Sequence, residues 1–208
     1  TWLDGSNGAL VTSSAYPTAA FVEDFSKKNP VAKDFGAVWS LSLPAAAYLY
    51  DEKTPGTVGP DGWAGGFPHA LKGKEGSKSA DEAFYEQWAS SPFADTYLTS
   101  AAENAVDALG LGKGAGTDFL GISYSSVDYV GHAYGPRSRE IQDLLVRLDR
   151  DLGGLLSFLD QRVGHGNYVV ALSADHGVAP VPEDAKQAGI NAGVANLAGV
   201  QERIEKVL

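Results

Sequence analysis

Apolar and polar positions along the chain predict a series of helices interrupted by short buried strands. The clearest helix covers residues 138–162, where apolar side chains recur every three or four positions and form one face. That face consists of Ile141, Leu144, Leu145, Leu148, Leu152, Leu155, Leu156 and Leu159. Apolar runs at residues 118–124 ("DFLGISY") and 167–174 ("NYVVALSA") predict one strand before this helix and one after it.

In the first third of the chain, the sequence pattern predicts secondary structure less clearly. Residues 8–14 are typical of a short strand, and residues 17–29 of a helix that an Asn-Pro pair closes. Residues 36–43 fit either a strand or an apolar helical turn. Residues 44–79 are rich in Gly, Pro and Lys, which predicts a long loop that either has a functional role or is an insertion.

Two further helices are indicated by the residues at their ends. Ser79 and Glu82 have the spacing of a capping box, which predicts a short helix that continues to about Ala89. Pro92 suits the first position of the next helix because its missing N–H would have no helical partner there. Gly110 is expected to end that helix.

The order strand, helix, strand around residues 138–162 predicts the fold class. A crossover helix between two strands implies a parallel pair, joined almost always with a right-handed connection. We therefore predict an α/β fold with a largely parallel sheet flanked by helices, in a single domain over residues 1–208. The carboxyl ends of parallel strands share one edge, where ligands bind in open α/β sheets.

Composition excludes several classes of function. The 208 residues are 44% hydrophobic with a net charge of −10, which suits a globular domain and disfavours a nucleic acid duplex as partner. No apolar run approaches the roughly 20 residues of a membrane-spanning helix. The chain has no Cys, so disulfides and thiolate metal sites are excluded. A metal site would have to use His, Asp and Glu, which favours zinc or a harder divalent ion.

Two polar motifs follow the two predicted strands. "SSVDYVGHAYGP" places Asp128 and His132 four residues apart, and "LSADHGVAP" places Asp175 beside His176. Each motif alone is typical of an ordinary helix cap or turn. Together at one sheet edge, two carboxylates and two imidazoles predict a shared centre for two metal ions about 4 Å apart, which could activate a nucleophile and stabilise a leaving oxygen.

Other polar residues near these motifs have ordinary interpretations. His69 lies in the Gly-rich loop and His165 follows a helix end, so both are expected to be solvated. Arg137 could contact a substrate phosphate, although a surface ion pair is the simpler reading. The hydroxyl side chains of residues 124–126 are expected to orient the loop before Asp128 rather than to attack a substrate.

Three stretches, "SYSSVDYVGHAYGP", "REIQDLLVRLDRDLGGLLSFLD" and "VVALSADHGVAPVPE", resemble the alkaline phosphatase superfamily. The branch that looks most similar is the type I phosphodiesterase/nucleotide pyrophosphatase group with its single-domain bacterial alkaline phosphatases. The resemblance implies a two-zinc hydrolase of small phosphate esters, with Mn²⁺ or another divalent ion as an alternative. By the same resemblance, Asp128 and His132 would bind one zinc, and Asp175 and His176 the other.

Part of the family pattern has no counterpart in this sequence. The family nucleophile, a Thr or Ser, is expected upstream of residue 1, and a further His ligand downstream of residue 208. The resemblance therefore predicts a partial catalytic domain, an internal fragment that is a poor catalyst by itself. It also implies a periplasmic or secreted location, while the oligomeric state is left open. The alternatives are a sulfatase, phosphonate hydrolase or mutase of the superfamily, or a non-catalytic metal-binding domain.

Overall fold

The computed structural model describes residues 1–17, 19–53, 55–63 and 65–206, and their regular secondary structure is mainly helical. The helices of this part are α1 Ala20–Lys28, α2 Glu82–Ala89, α3 Pro92–Leu109, α4 Ser126–Tyr134, α5 Arg139–Leu159, α6 Pro182–Gln187 and α7 Leu197–Glu205. The strands are β1 Trp2–Leu3, β2 Leu10–Val11, β3 Val38–Trp39 and β4 His69–Ala70. They form two antiparallel pairs, β1 with β2 and β3 with β4.

The longer helices agree with the predicted periodicity and end signals. Helix α3 begins at Pro92 and ends at Gly110, whose φ of +63° is the left-handed conformation that favours glycine. Helix α5 begins after Ser138, whose hydroxyl accepts a hydrogen bond from the backbone N–H of Ile141 at 3.2 Å. No helix of the described residues is long and apolar enough to cross a membrane, as the sequence predicts.

The prediction that Ser79 caps α2 is wrong. The capping residue is Asp81, whose side chain accepts a hydrogen bond from the backbone N–H of Phe84 at 2.9 Å. Ser79 is exposed and lies two residues too early, because the helix itself starts only at Glu82. A carboxylate at the correct position satisfies the free N–H groups of the first turn and complements the helix dipole.

Two aromatic clusters form the core. The first lies between α1, α2 and α3 and contains Phe25, Val31, Leu71, Phe84, Trp88 and Tyr97. The second joins α4 and α5 to β3 and contains Trp39, Val130, Tyr134, Ile141 and Leu144. Helix α5 packs against both α3 and α4, so it connects the two clusters.

The carboxylate of Asp143, on α5, is fully buried and joins the segment after β3 to this helix. It accepts hydrogen bonds from Trp39 Nε1 at 2.6 Å, the Ser42 backbone N–H at 2.7 Å, the Tyr48 hydroxyl, and Arg147 Nε at 2.7 Å. Burial alone would raise the pKa of Asp143, but these donors outweigh it and lower the pKa to about 2.

Residues 118–124 and 167–174, where strands are predicted, do not form strands in this structure. Both segments are irregular, and neither joins a sheet within the described residues. Their apolar side chains face solvent, with Phe119 93% exposed and Val169 96% exposed. A strand needs a neighbour for its backbone N–H and C=O groups, and no such neighbour lies beside either segment in the described chain. No parallel sheet is therefore seen among the described residues.

The other two predicted strands are present, but each is only two residues long. Of residues 8–14, only Leu10–Val11 forms a strand, and it pairs with β1. Of residues 36–43, only Val38–Trp39 does so, and it pairs with β4 inside the predicted loop 44–79. The strand alternative at residues 36–43 is thus confirmed over the helical one.

The loop 44–79 is largely irregular where it is described, yet Trp63, Phe67 and Leu71 pack into the core clusters. His69 is only 1% exposed, so the prediction of a solvated side chain is wrong. Its Nε2 lies 3.1 Å from Glu140 Oε1, and its ring stacks on Trp63 with 4.6 Å between ring centroids. A buried imidazole is tolerated here because a carboxylate and aromatic faces surround it.

Replacing Asp143 with Ala is expected to lower the free energy of unfolding by about 3 kcal/mol, since four buried or half-buried donors lose their acceptor. Urea denaturation measures the difference. Asp149→Ala, which changes an exposed carboxylate on the same helix, serves as the control and is expected to be nearly neutral. Equal stabilities of the two variants would contradict the role given to Asp143.

Candidate metal centre

Helix α4 presents the first motif on its outer side. Asp128 lies in its first turn and His132 in its last, and the Asp128 Oδ1 to His132 Nε2 distance is 3.2 Å. The opposite side of the helix is anchored by Val130 and Tyr134, which are both buried in the second aromatic cluster. The spacing of four residues therefore places the two polar side chains together and facing outward, as predicted.

The second motif reaches the same place. His176 Nε2 lies 3.8 Å from Asp128 Oδ1 and 3.6 Å from Asp175 Oδ2. Asp128 is thus approached by one imidazole from its own helix and by another from His176, which lies 48 positions after Asp128 in the sequence. The side chain of Asp175 is 90% exposed and contacts the group through His176.

Glycines in α4 and directly after it let the second motif approach. A Cβ at Gly131 would lie 2.7 Å from Val178 Cγ2, and one at Gly135 would lie 3.2 Å from Val181 Cγ1. Gly135 also has a φ of +77°, which an L side chain rarely adopts. The chain after His176 therefore packs directly on α4, and this packing places the two motifs side by side.

The site residues fit a divalent cation by their chemistry. Asp128 Oδ1 is buried and has no hydrogen-bond partner among the described residues, although two ring nitrogens lie within ion-pair distance. Buried carboxylate oxygens normally have a partner, and a cation would provide one. Carboxylate oxygen with imidazole nitrogen is a donor set that suits zinc.

The four side chains are neighbours, but in this arrangement they do not form a complete set of metal ligands. Within the described residues, no three His, Asp or Glu side chains converge closely enough to hold one ion. His132 is 68% exposed and His176 is 55% exposed, so both rings have free space around them. Cation binding would involve reorientation of these exposed rings around Asp128.

The core side of α4 is supported by residues that the sequence did not indicate. The Tyr134 ring contacts the His69 ring at 5.5 Å between centroids, and His69 in turn contacts Glu140. Burial, followed by the nearby Glu140 carboxylate, raises the pKa of the Tyr134 hydroxyl well above its usual range. A Cβ at Gly59 would lie 2.2 Å from that hydroxyl, so a glycine in the loop makes room for it.

His165 does not belong to the group. It is exposed at the end of α5, where its Nδ1 lies 3.3 Å from Asp160 Oδ1. The prediction of a solvated histidine is therefore confirmed for His165 and not for His69.

Comparison with known proteins gives consistent matches over most of the chain. The sequence profile described as type I phosphodiesterase / nucleotide pyrophosphatase matches residues 12–202. The alkaline phosphatase PhoV of Synechococcus elongatus is 35% identical over 188 residues, which are 87% of this chain and 33% of PhoV. The alkaline phosphatase PafA of Elizabethkingia meningoseptica is 37% identical over 185 residues, which are 86% of this chain and 33% of PafA.

A crystal structure of wild-type PafA superposes on this chain with a TM-score of 0.74 and 30% identity. The match covers 99% of this chain and 40% of the PafA chain. PafA has an α/β fold, so the predicted fold class is supported while its parallel sheet is not seen here. The chain spans about a third of the length of the curated relatives it matches.

Gly131→Ala is expected to destabilise the fold by about 1–2 kcal/mol, because the new methyl group would overlap Val178 and push the second motif off α4. Gly153→Ala on α5 is the matched control, since nothing lies within 4 Å of its Cβ position. That change is expected to stabilise the helix by roughly 0.5–1 kcal/mol. Urea denaturation of both variants gives the comparison, and stabilisation at both sites would refute the packing described for Gly131.

Proposed function

The chain belongs to the type I phosphodiesterase / nucleotide pyrophosphatase family of the alkaline phosphatase superfamily, and we propose that it is part of the catalytic domain of a metal-dependent phosphate-ester hydrolase. The observation that carries the proposal is the meeting of the two motifs at Asp128 Oδ1, a buried oxygen with no hydrogen-bond partner among the described residues. Two histidines from separate motifs that approach one carboxylate at the surface form the arrangement expected of a shared site.

Asp128, His132, Asp175 and His176 are the residues that would hold two zinc ions, or manganese or another divalent ion. When bound, such a pair can polarise a phosphoryl oxygen, lower the pKa of water, and stabilise charge on a leaving oxygen. The two carboxylates offset part of the positive charge, and the two imidazoles supply neutral nitrogen ligands. Asp128 is central because it is the residue that both histidines approach.

The charge of the chain explains why cations would be needed. The net charge is −10, and the two site carboxylates add negative charge at the place where an ester would bind. A phosphate ester is itself an anion, so bare carboxylates would repel it. Bound divalent ions reverse the sign of the local field, which allows a small anionic substrate to bind there.

We further propose that residues 118–124 and 167–174 become parallel strands when a sheet partner is present. Each segment leads directly into one of the two motifs, and each carries exposed apolar side chains such as Phe119 and Leu172. Pairing would bury these side chains and fix both motifs at one sheet edge. The α/β fold of PafA supports this arrangement.

The catalytic nucleophile and a further His ligand of the family have no counterpart among these 208 residues. We propose that the whole protein supplies them, so hydrolysis belongs to the whole protein. The family resemblance also suggests a periplasmic or secreted location for that protein.

Zinc titration by calorimetry tests the centre in the 208-residue chain. We expect the wild type to bind zinc and Asp128→Asn to weaken binding by at least about tenfold, because a charged ligand becomes a neutral amide. Asp149→Asn removes an equal charge at an exposed position of α5 and is expected to leave the affinity unchanged. Equal affinities of all three proteins would show that zinc binds elsewhere.

Hydrolysis assays of the full-length protein test the reaction. We expect Asp175→Asn to lower kcat/KM for phosphate esters by about 10³-fold or more, since electrostatic stabilisation of the transition state is lost. The isolated 208-residue chain is expected to show little turnover. Faster cleavage of sulfate esters than of phosphate mono- and diesters would support the sulfatase alternative, and near-normal rates of the variant would refute the metal assignment.

A further inference from the structure

The last turn of α4, which carries His132, is completed by a residue of the loop 44–79. Ala133 is among the last four residues of this helix, whose carbonyl groups have no N–H partner within it. The backbone N–H of Val58 donates a hydrogen bond to the Ala133 carbonyl oxygen at 3.0 Å. The loop thus supplies a donor at the residue that directly follows a site histidine.

Two glycines let this part of the loop, residues 56–59, lie close to its neighbours, and we name these four residues the site strap. A Cβ at Gly59 would overlap the Tyr134 hydroxyl and lie 2.9 Å from Tyr134 Cζ. A Cβ at Gly56 would overlap the Glu183 carboxylate and lie 3.0 Å from Glu183 Cγ. Because Tyr134 ends α4 and Glu183 lies in the first turn of α6, the strap contacts the helix of the first motif and the helix that follows the second.

The residues that follow the strap are fixed in the core. Pro60 is buried, and its carbonyl oxygen accepts a hydrogen bond from the Trp63 backbone N–H at 3.0 Å. The Trp63 ring stacks on His69, and its Nε1 donates a hydrogen bond to the Ala70 carbonyl oxygen at 2.8 Å. The position of the strap is therefore determined by the folded core, although the strap itself is irregular.

From this arrangement we infer that Val58 is a positioning residue for the candidate metal centre, since its backbone N–H fixes the last turn of α4 and thereby the ring of His132. The inference rests on the proposed function for the identity of the site. The Val58 side chain is 80% exposed, so the backbone N–H is the group that acts. The His132 ring is 68% exposed and pairs with Asp128 of the same helix, so its place depends on the backbone of that turn.

The strap should act on one site histidine and not on the other. His176 lies in the segment that packs on Gly131 through Val178, and this contact does not involve the strap. Loss of the Val58 hydrogen bond should therefore reduce what His132 contributes to cation binding and leave the contribution of His176 unchanged. A contact that only stabilised the fold would affect both contributions equally.

Two substitutions at one position separate the backbone group from the side chain. Val58→Pro removes the N–H, and Val58→Ala retains it while shortening an exposed side chain. Zinc titration of the 208-residue chain by calorimetry reports the site. Hydrogen exchange of the Gly135 amide, which donates to the Gly131 carbonyl oxygen at 2.8 Å, reports the order of the last turn of α4.

We expect Val58→Pro to weaken zinc binding and to speed Gly135 exchange by about fivefold each, the factor that corresponds to one lost hydrogen bond. Val58→Ala is expected to stay within about twofold of the wild type in both measurements, as an exposed side chain predicts. If Val58→Pro does not fold, Gly59→Ala replaces it, because the new methyl group would push the strap off Tyr134. Unchanged zinc affinity and unchanged exchange would overturn the inference.

A double-mutant cycle tests the route through His132. In a His132→Ala background, Val58→Pro is expected to change zinc affinity by less than about twofold, whereas in a His176→Ala background the fivefold loss should remain. Equal losses in both backgrounds would also overturn the inference, since the strap would then act on the fold as a whole. Absence of zinc binding by the wild type would refute the proposed centre instead, and Gly135 exchange would still decide whether the strap orders α4.

Discussion

The buried carboxylate of Asp143 is the interaction on which the arrangement of the chain depends. It lies on the helix that joins both halves of the core, and three of its four donors come from Trp39 in β3 and from the segment that follows this strand. Trp39, one of those donors, also packs into the aromatic cluster that supports α4. A charge so deeply buried is stable only because hydrogen bonds replace its hydration. The same set of bonds therefore fixes the position of an irregular segment and supports the base of the candidate site.

The candidate site is held by packing on three sides of one short helix. The aromatic cluster lies behind α4, Val178 and Val181 lie against Gly131 and the capping Gly135, and α3 packs against the helix. None of these contacts requires a sheet. This explains how the two motifs can meet in a structure whose intervening segments are irregular, and it places Asp128 at the centre of the group.

The sequence predicted the features that depend on local pattern. The long apolar face of α5 and the Pro and Gly ends of α3 lie where expected, and Asp128, His132 and His176 come together. The strand predictions failed because a strand depends on a pairing partner from another part of the chain, and a local sequence pattern does not show whether that partner is present. The burial of His69 was missed for the same reason, since its aromatic neighbours and Glu140 are brought to it by the fold.

The exposed apolar segments before the two motifs have a consequence for how the chain behaves in solution. Extended backbone with unpaired polar groups and side chains such as Phe119 and Val169 is a template for pairing between molecules. What opposes such association is the mutual repulsion of chains that each carry a net charge of −10. Salt screens that repulsion. The colloidal stability of the protein is therefore electrostatic in origin, and ionic strength governs the balance between dispersed chains and aggregates.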